Sequence, residues 1–288
     1  MTTTATKGTI AAAGKTVGVL GLGIIGSVWA RHYHAAGVLA GAWNRTPSME
    51  PFPQGLPTPE AVTSVADVVQ IVVADPPAVQ GVIERIVPAL GPGKVVVQSS
   101  TIDPESSSRF REAVLAAGAR YLEAPFTGSK PAAEQRQTVF YLGGEADLIA
   151  ELEPLLALIS GTRLRIGDNR QATLLKLAMN LNLAIQMEGL GEALTLARRA
   201  GISDDTFFDA MSRNVGNSGL VKLKEPKLRG ADFAPQFSVK HMHKDMRLAV
   251  GTREAAGFPL LAAVRARLGE AESAGWGNDD FASLIRLL

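Results

Sequence analysis

Two of the polar residues in the mostly apolar stretch LLKLAMNLNLAIQM stand at a spacing that chemistry could use: Lys176 and Asn180. Four apart on a helix, they point to the same side. A lysine in an apolar setting is costly unless paired or functional, and burial shifts it toward giving up its proton near neutral pH. Such a group could act as an acid, with Asn180 orienting either the ammonium or a substrate. The same lysine could instead run its stem along the apolar face and reach water with its head. Spacing leaves both readings open.

A second candidate is the loop Gly21-Leu22-Gly23-Ile24-Ile25-Gly26. It lies between an apolar run of strand type (15–20) and a helical pattern (27–36), the context in which a GxGxxG loop binds a dinucleotide. Gly21 permits a tight turn, Gly23 lets backbone N–H groups approach a pyrophosphate, and Gly26 lets helix and strand pack closely. The end of the next strand selects the nucleotide. An NAD enzyme places an acidic residue there to accept bonds from the ribose hydroxyls. This chain has Asn44-Arg45-Thr46 instead, where a guanidinium, an amide and a hydroxyl can bind a 2′-phosphate. The cofactor expected is therefore NADP(H).

The elements that would position these groups follow from the pattern. Val- and Ile-rich runs at 15–20, 38–43, 68–74 and 94–98 lack polar alternation and read as strands covered on both faces. Helical stretches at 77–90 and 104–117 separate them, and 120–123 and 138–142 supply further short strands. After Gly167 the strand signals stop. Residues 171–200 read as one long helix of about 45 Å, most of its first half apolar on every face and so expected to be buried. Residues 203–213, 238–256 and 259–274 continue the helical reading, while 214–219 and 224–235 read as loops. The fold class expected is α/β: an N-terminal Rossmann domain with a doubly wound parallel sheet, plus an all-α C-terminal domain joined by a long interdomain helix. The divisions fall at 1–14 (a disordered leader), 15–169 (NADP-binding), 170–200 (the helix) and 201–288 (substrate binding and dimerisation).

Bulk properties narrow the partners. The 288 residues carry a net charge of +1, with 46% hydrophobic and 20% charged residues and no cysteine. Near-neutrality argues against a protein that coats nucleic acid. There is no apolar run long enough for a membrane span and no secretory signal pattern at the N-terminus. A cytoplasmic enzyme acting on a small molecule fits, and the apolar helix suggests a homodimer.

Four segments, in order, resemble the β-hydroxyacid dehydrogenase family, and within it the glyoxylate and succinic semialdehyde reductases. They are the glycine loop, Glu123-Ala124-Pro125-Phe126-Thr127-Gly128-Ser129 (similar to the substrate loop APxSG), Lys176-Leu177-Ala178-Met179-Asn180 (similar to the catalytic KxxxN), and FSVKHMHKDMRLA at 237–249. The stretch 99–104 matches the one beside the nicotinamide. The likeness covers nearly the whole chain after the leader. It implies NADPH-dependent reduction of a small aldehyde or oxo acid, with Lys176 giving a proton to the carbonyl oxygen. It also implies that Thr127, where the family has serine, holds the substrate carboxylate with the Gly128 and Ser129 backbone, and that Asn180 anchors the same substrate. Thr101 would sit at the nicotinamide end, Phe237 and Asp245 on the far wall, and Lys244 at a cofactor phosphate or ribose.

The chain departs from the family in two places. Arg170 and Ala172 replace glycines ahead of the lysine, and Arg136-Gln137-Thr138 replaces the usual continuation of the substrate loop. Both bear on the substrate more than on the chemistry. Reduction of a cyclic imine, oxidation of a 3-hydroxyacid of the 3-hydroxyisobutyrate type, and a retired fold kept for binding are the alternatives; Lys176 argues against the first and last. His241 and His243, two apart on a helix, point roughly 200° apart and read as ordinary helix residues rather than a metal pair. Glu188 and Glu192 read as partners for Arg198 or Arg199, and Asp279-Asp280 as a solvated helix start.

Overall fold

The computed structural model describes residues 14–46 and 52–288. Apart from Gly14, the leader expected at 1–14 lies outside the described residues. The chain divides into two compact units, one ending at Lys176 and the other spanning Leu177–Leu288.

The first unit holds β1 (Val17–Leu20), β2 (Leu39–Trp43), β3 (Val68–Ile71), β4 (Val95–Gln98), β5 (Arg120–Glu123), β6 (Phe126–Thr127), β7 (Thr138–Gly143) and β8 (Ser160–Gly167). Its helices are α1 (Ile24–Ala35), α2 (Pro59–Val65), α3 (Pro76–Ile86), α4 (Pro104–Ala116), α5 (Lys130–Glu134) and α6 (Ala146–Leu156). The strand order is β2-β1-β3-β4-β5-β7-β6, with β8 on β7. Successive strand residues face opposite ways, and both ways are apolar. Val17, Val19, Val95 and Val97 pack with Trp29 and Tyr33 of α1 and Leu148 of α6. Leu20, Val69, Ile71 and Val96 pack with Val62 of α2, Ile83 of α3 and Phe110 of α4.

Strands β1 to β5 are parallel neighbours, but β7 runs antiparallel to both β5 and β6. The connection after β5 has only the short α5, which cannot make the crossover a parallel strand needs. Helices α2, α3 and α4 begin alike: Thr58, Asp75 and Asp103 accept a first-turn N–H, and a proline follows at the start of the helix. Helix α1 starts at Ile24, ahead of the expected Ser27, because Gly26 belongs to its first turn.

Helix α7 (Asn169–Arg199) begins in the first unit and ends in the second. Asp168 Oδ1 accepts the Gln171 N–H at 2.8 Å, and Gln171 Oε1 accepts the Asp168 N–H at 2.9 Å, a reciprocal cap that fixes its start. Along its first half Ala178, Met179 and Asn182 are exposed, so the helix is not buried on every face as its composition predicts.

The second unit adds α8 (Asp204–Ser212), α9 (Gly219–Gly230), α10 (Val239–Val250), α11 (Pro259–Ala271) and a terminal 3-10 helix (Phe281–Leu287). Leu194, Phe208, Leu228, Met242, Met246, Leu268 and Phe281 form its core. Three expectations need correction here. Residues 224–230, expected in a loop, are helical. Their buried stripe is Leu220, Val221, Lys224, Lys227 and Leu228, a helical spacing in which two positions are lysines. Asp280 does start a helix but is fully buried, not solvated, and pairs with Lys224 at 2.8 Å. Glu188 pairs with Arg267 at 2.8 Å and Arg198 with Asp204 at 2.7 Å. Ten residues of helix put Glu188 about 15 Å from Arg198, beyond side-chain reach.

Candidate functional site

The strand order reverses direction between β1 and β3, and in open α/β sheets ligands bind outside the carboxyl ends of the strands at such a point. The glycine loop sits there. Gly21 has φ +109°, and a Cβ on it would lie 2.1 Å from the Val72 carbonyl oxygen just after β3. A Cβ on Gly26 would lie 2.0 Å from the Gly21 oxygen, whereas nothing lies within 4 Å of one on Gly23. Two glycines thus close the turn, and the third leaves its approach clear. Gly23 caps α1 with no side-chain bond, so the first-turn N–H groups are not answered by the cap residue. Ile24 is exposed beside them, while Leu22 and Ile25 pack against the core below. This cradle fits a dinucleotide pyrophosphate.

Asn44, at the end of β2, accepts the Leu22 N–H at 3.1 Å and donates to the Thr46 carbonyl at 2.8 Å. One amide therefore joins the glycine loop to the segment expected to read the ribose. Arg45 and Thr46 are exposed beyond it. Thr101 lies in the turn after β4. The residue before it, Ser100, accepts the Val73 N–H at 2.8 Å, and Asp103 caps α4 after it.

Thr127 ends β6, pairs with Val139 and shares a side-chain hydrogen bond with Tyr141, whose hydroxyl is pushed up by burial. Gly128 follows with φ +128°, a conformation that favours glycine, and Ser129 precedes α5. Lys176 is buried, 9% exposed, and its ammonium stands 5.9 Å from the ring centroid of Phe126, the neighbour of Thr127. That ring also meets Trp29 edge-on at 4.7 Å. Lys176 thus lies against an aromatic wall rather than in open solvent. The two arginines that depart from the family pattern are engaged elsewhere. Arg170 pairs with Glu105 at 3.0 Å, and Arg136, at φ +57°, donates to His32 Nδ1 at 3.3 Å.

In the second unit Asn180 donates to Asp245 Oδ2 at 2.6 Å, and the Lys244 ammonium lies 2.9 Å from Asp245 Oδ1. Phe237 packs its ring on Phe281 at 5.9 Å and donates its N–H to Asp280 Oδ2 at 3.2 Å. His241 bonds Ser238 and His243 bonds Glu272, so each of the two has its own partner.

Sequence reasoning passed over Glu123. It is fully buried at the end of β5 and accepts hydrogen bonds from Gln98, Ser107 and Tyr121. Its signal was a carboxylate closing a buried strand, two residues from a tyrosine on the same face.

The chain is similar to known proteins over most of its length. Residues 16–167 match the NAD binding domain of 6-phosphogluconate dehydrogenase, and residues 171–288 match the NAD-binding family of NADP-dependent 3-hydroxyisobutyrate dehydrogenase. The chain is 30% identical to glyoxylate/succinic semialdehyde reductase 2, chloroplastic, of Arabidopsis thaliana, over 95% of this chain and 79% of that one. It is equally 30% identical to glyoxylate/succinic semialdehyde reductase 1 of the same plant, over 93% and 96%. A crystal structure of 3-hydroxyisobutyrate dehydrogenase from Salmonella typhimurium superposes with a TM-score of 0.84 at 25% identity, covering 95% of this chain and 99% of that one.

Proposed function

Since the chain belongs to the β-hydroxyacid dehydrogenase family, NADP-dependent oxidoreductases of the CH–OH/C=O couple, we propose that it reduces a small aldehyde or 2-oxo acid, of glyoxylate or succinic semialdehyde type, with Lys176 as general acid. NADPH, when bound, supplies the hydride. Gly21, Gly23 and Gly26 let the backbone approach its pyrophosphate, with Leu22, Ile24 and Ile25 completing the loop. Asn44 holds that loop to the Arg45–Thr46 segment, where the guanidinium takes the 2′-phosphate. The family resemblance assigns Thr101 to the nicotinamide end and Lys244 to a phosphate or ribose.

The carrying observation is the burial of Lys176 beside Phe126, one residue from Thr127. A preplaced ammonium stabilises the alkoxide charge that develops on the carbonyl oxygen and then gives up its proton there. Thr127, with the Gly128 and Ser129 backbone, holds the substrate carboxylate. The family resemblance gives Asn180, oriented by Asp245, a part in anchoring the substrate, and assigns Phe237 and Asp245 to substrate binding.

A homodimer belongs to the same proposal, because Ala178 and Met179 stay exposed on α7 and a second copy would cover them. Light scattering at micromolar concentration tests it; a monomer mass removes it. Among the described residues no helix is long and apolar enough to cross a membrane, and the proposal places the enzyme in the cytoplasm.

The test of function is NADPH consumption with glyoxylate, succinic semialdehyde and a cyclic imine as separate substrates. Turnover with either aldehyde is expected. Turnover with the imine alone, or none despite NADPH binding, overturns the substrate class.

A further inference from the structure

Glu123 closes β5 and opens the 124–129 segment, and water does not reach it. Its Oε1 accepts from Gln98 Nε2 at 2.8 Å; its Oε2 accepts from Ser107 Oγ at 2.5 Å and from the Tyr121 hydroxyl at 2.7 Å. Two of these contacts, those of Gln98 and Ser107, lead to segments that the proposed reaction uses. Gln98 ends β4 and grips the turn that follows, donating to the Ser100 carbonyl at 2.9 Å and accepting the Ser100 N–H at 2.6 Å. Thr101 is the next residue. Ser107, on α4, accepts from Asn169 Nδ2 at 2.9 Å. Asn169 opens α7, about two turns ahead of Lys176. The carboxyl is therefore the common node of the Thr101 turn, the Thr127 loop and the root of the Lys176 helix.

A strand end in this core would be cheaper as leucine, because burying a carboxyl carries a desolvation cost that hydrogen bonds only partly offset. Such costs recur where geometry serves function. We propose that Glu123 is a positioning residue for the reductase reaction, fixing the Thr101 turn and the first turn of the Lys176 helix to one another through Gln98, Ser107 and Asn169. It rests on the function proposed above, in which Thr101 and Lys176 serve the hydride and proton ends.

The network is fully made only when the carboxyl is ionised. A carboxylate accepts from all three neighbours, whereas a protonated one must donate, and one bond has to turn around. When the reversed bond is the one to Ser107, that hydroxyl accepts from both Glu123 and Asn169 and its own proton must turn to a new acceptor, at the link to α7. The titratable and charged groups around it are Tyr121, on the same strand, and Arg111 of α4, which acts on Tyr121. Gln98, Ser107 and Asn169 are neutral. Burial pushes the carboxyl up to about 7 against the pull of the three donated bonds. The arrangement thus changes across neutral pH.

The test compares the whole enzyme with Glu123→Gln, Ser107→Ala and Asn169→Ala. Glu123→Gln is expected to bind NADPH within about twofold of wild type while kcat falls about tenfold or more, the size of effect that a small misplacement of reacting groups produces. The wild-type decline of kcat on the acid side of neutrality is expected to vanish in it. Asn169→Ala, which leaves β5 untouched, is expected to lower kcat by a smaller factor in the same sense. A Glu123→Gln enzyme that loses thermal stability but keeps the wild-type kcat and pH profile overturns the proposal. If that variant does not fold, unchanged kcat in both Ser107→Ala and Asn169→Ala overturns it. A wild type inactive on every substrate defeats the proposed function instead. The positional claim is then read from amide hydrogen exchange at 99–103 and 169–176, which needs no substrate. Faster exchange in Asn169→Ala and Ser107→Ala supports it, and unchanged exchange overturns it.

Discussion

Asn180 donates its amide to Asp245 Oδ2 at 2.6 Å, and Asp245 receives the Lys244 ammonium on its other oxygen at 2.9 Å. Oδ2 thus accepts a hydrogen bond, whereas the buried Oδ1 meets the ammonium as an ion pair without hydrogen-bond geometry. Asp245 is expected to act largely by holding Asn180 and Lys244 in place. Asp245→Asn removes the charge that faces the Lys244 ammonium and sets an amide donor toward either Lys244 or Asn180. Its kcat/KM should fall about 10- to 100-fold, or about 1.4–3 kcal/mol. Steady-state kinetics with NADPH and the aldehyde varied in turn would check this, and wild-type values in both would refute it.

Lys176→Ala removes the proposed acid without touching the glycine loop. A positioned general acid typically contributes about 10²–10⁴ in rate, so kcat should fall by that range while NADPH affinity stays near wild type. Lys176→Met, closer in volume, should behave alike, separating loss of the ammonium from loss of packing on Phe126. Single-turnover measurement at saturating NADPH decides it; a residual rate within a factor of about three of wild type would exclude Lys176 as the acid.

Arg45→Asp should weaken NADPH far more than NADH. A carboxylate repels a 2′-phosphate yet can accept bonds from ribose hydroxyls. The ratio of the two dissociation constants, measured by nicotinamide fluorescence, should shift by at least about tenfold, and the salt dependence of NADPH binding should flatten. Equal responses from the two cofactors would place the phosphate elsewhere.

How far the sequence reaches differs between the units. In the first, runs of Val mark β1, β3 and β4, and Thr58, Asp75 and Asp103 before prolines mark three helix starts, whereas β8, whose SGTRLRIG is largely polar, carries no such run and was not read as a strand. The glycine loop was legible because missing Cβ atoms leave a spaced record. The antiparallel β7 was not, because strand direction depends on the length and path of a connection rather than on the strand's residues. In the second unit the stripe of α9 was hidden by Lys224 and Lys227, whose charges read as surface until Asp280, more than fifty residues on, supplies a partner. Long-range pairing of that kind has no local trace. The same holds for Glu123: its type and position were visible, but Ser107 and Asn169 are joined to it only by the fold.

Lys224 and Asp280 are 1% and 0% exposed, and Asp280 also accepts the N–H groups of Gln236, Phe237 and Ala282. Removing one partner strands the other charge in the core. Lys224→Met should destabilise the protein by about 3–5 kcal/mol. Adding Asp280→Asn to it should cost less than the two single changes together, by about 1–3 kcal/mol. Denaturant melts of the two single variants and the double variant measure the coupling. Strict additivity would mean that the pair contributes no interaction of its own.

Glu123 should also shape the dependence of stability on pH. Its carboxyl stands at about 7 in the folded protein against an ordinary 4.5, chiefly because burial penalises the charge. Between those values the folded state holds a proton that the unfolded state has released, so stability falls as pH rises. The contribution is fully present below about 4.5, is lost progressively up to about 7, and amounts to about 3 kcal/mol. Glu123→Gln cannot ionise, so the wild-type minus variant difference in unfolding free energy should decline from pH 5 to pH 8 by that order. Urea melts at the two pH values are sufficient to test it. A difference that stays flat, or one that grows with pH, would mean that the three donors hold the carboxyl ionised throughout.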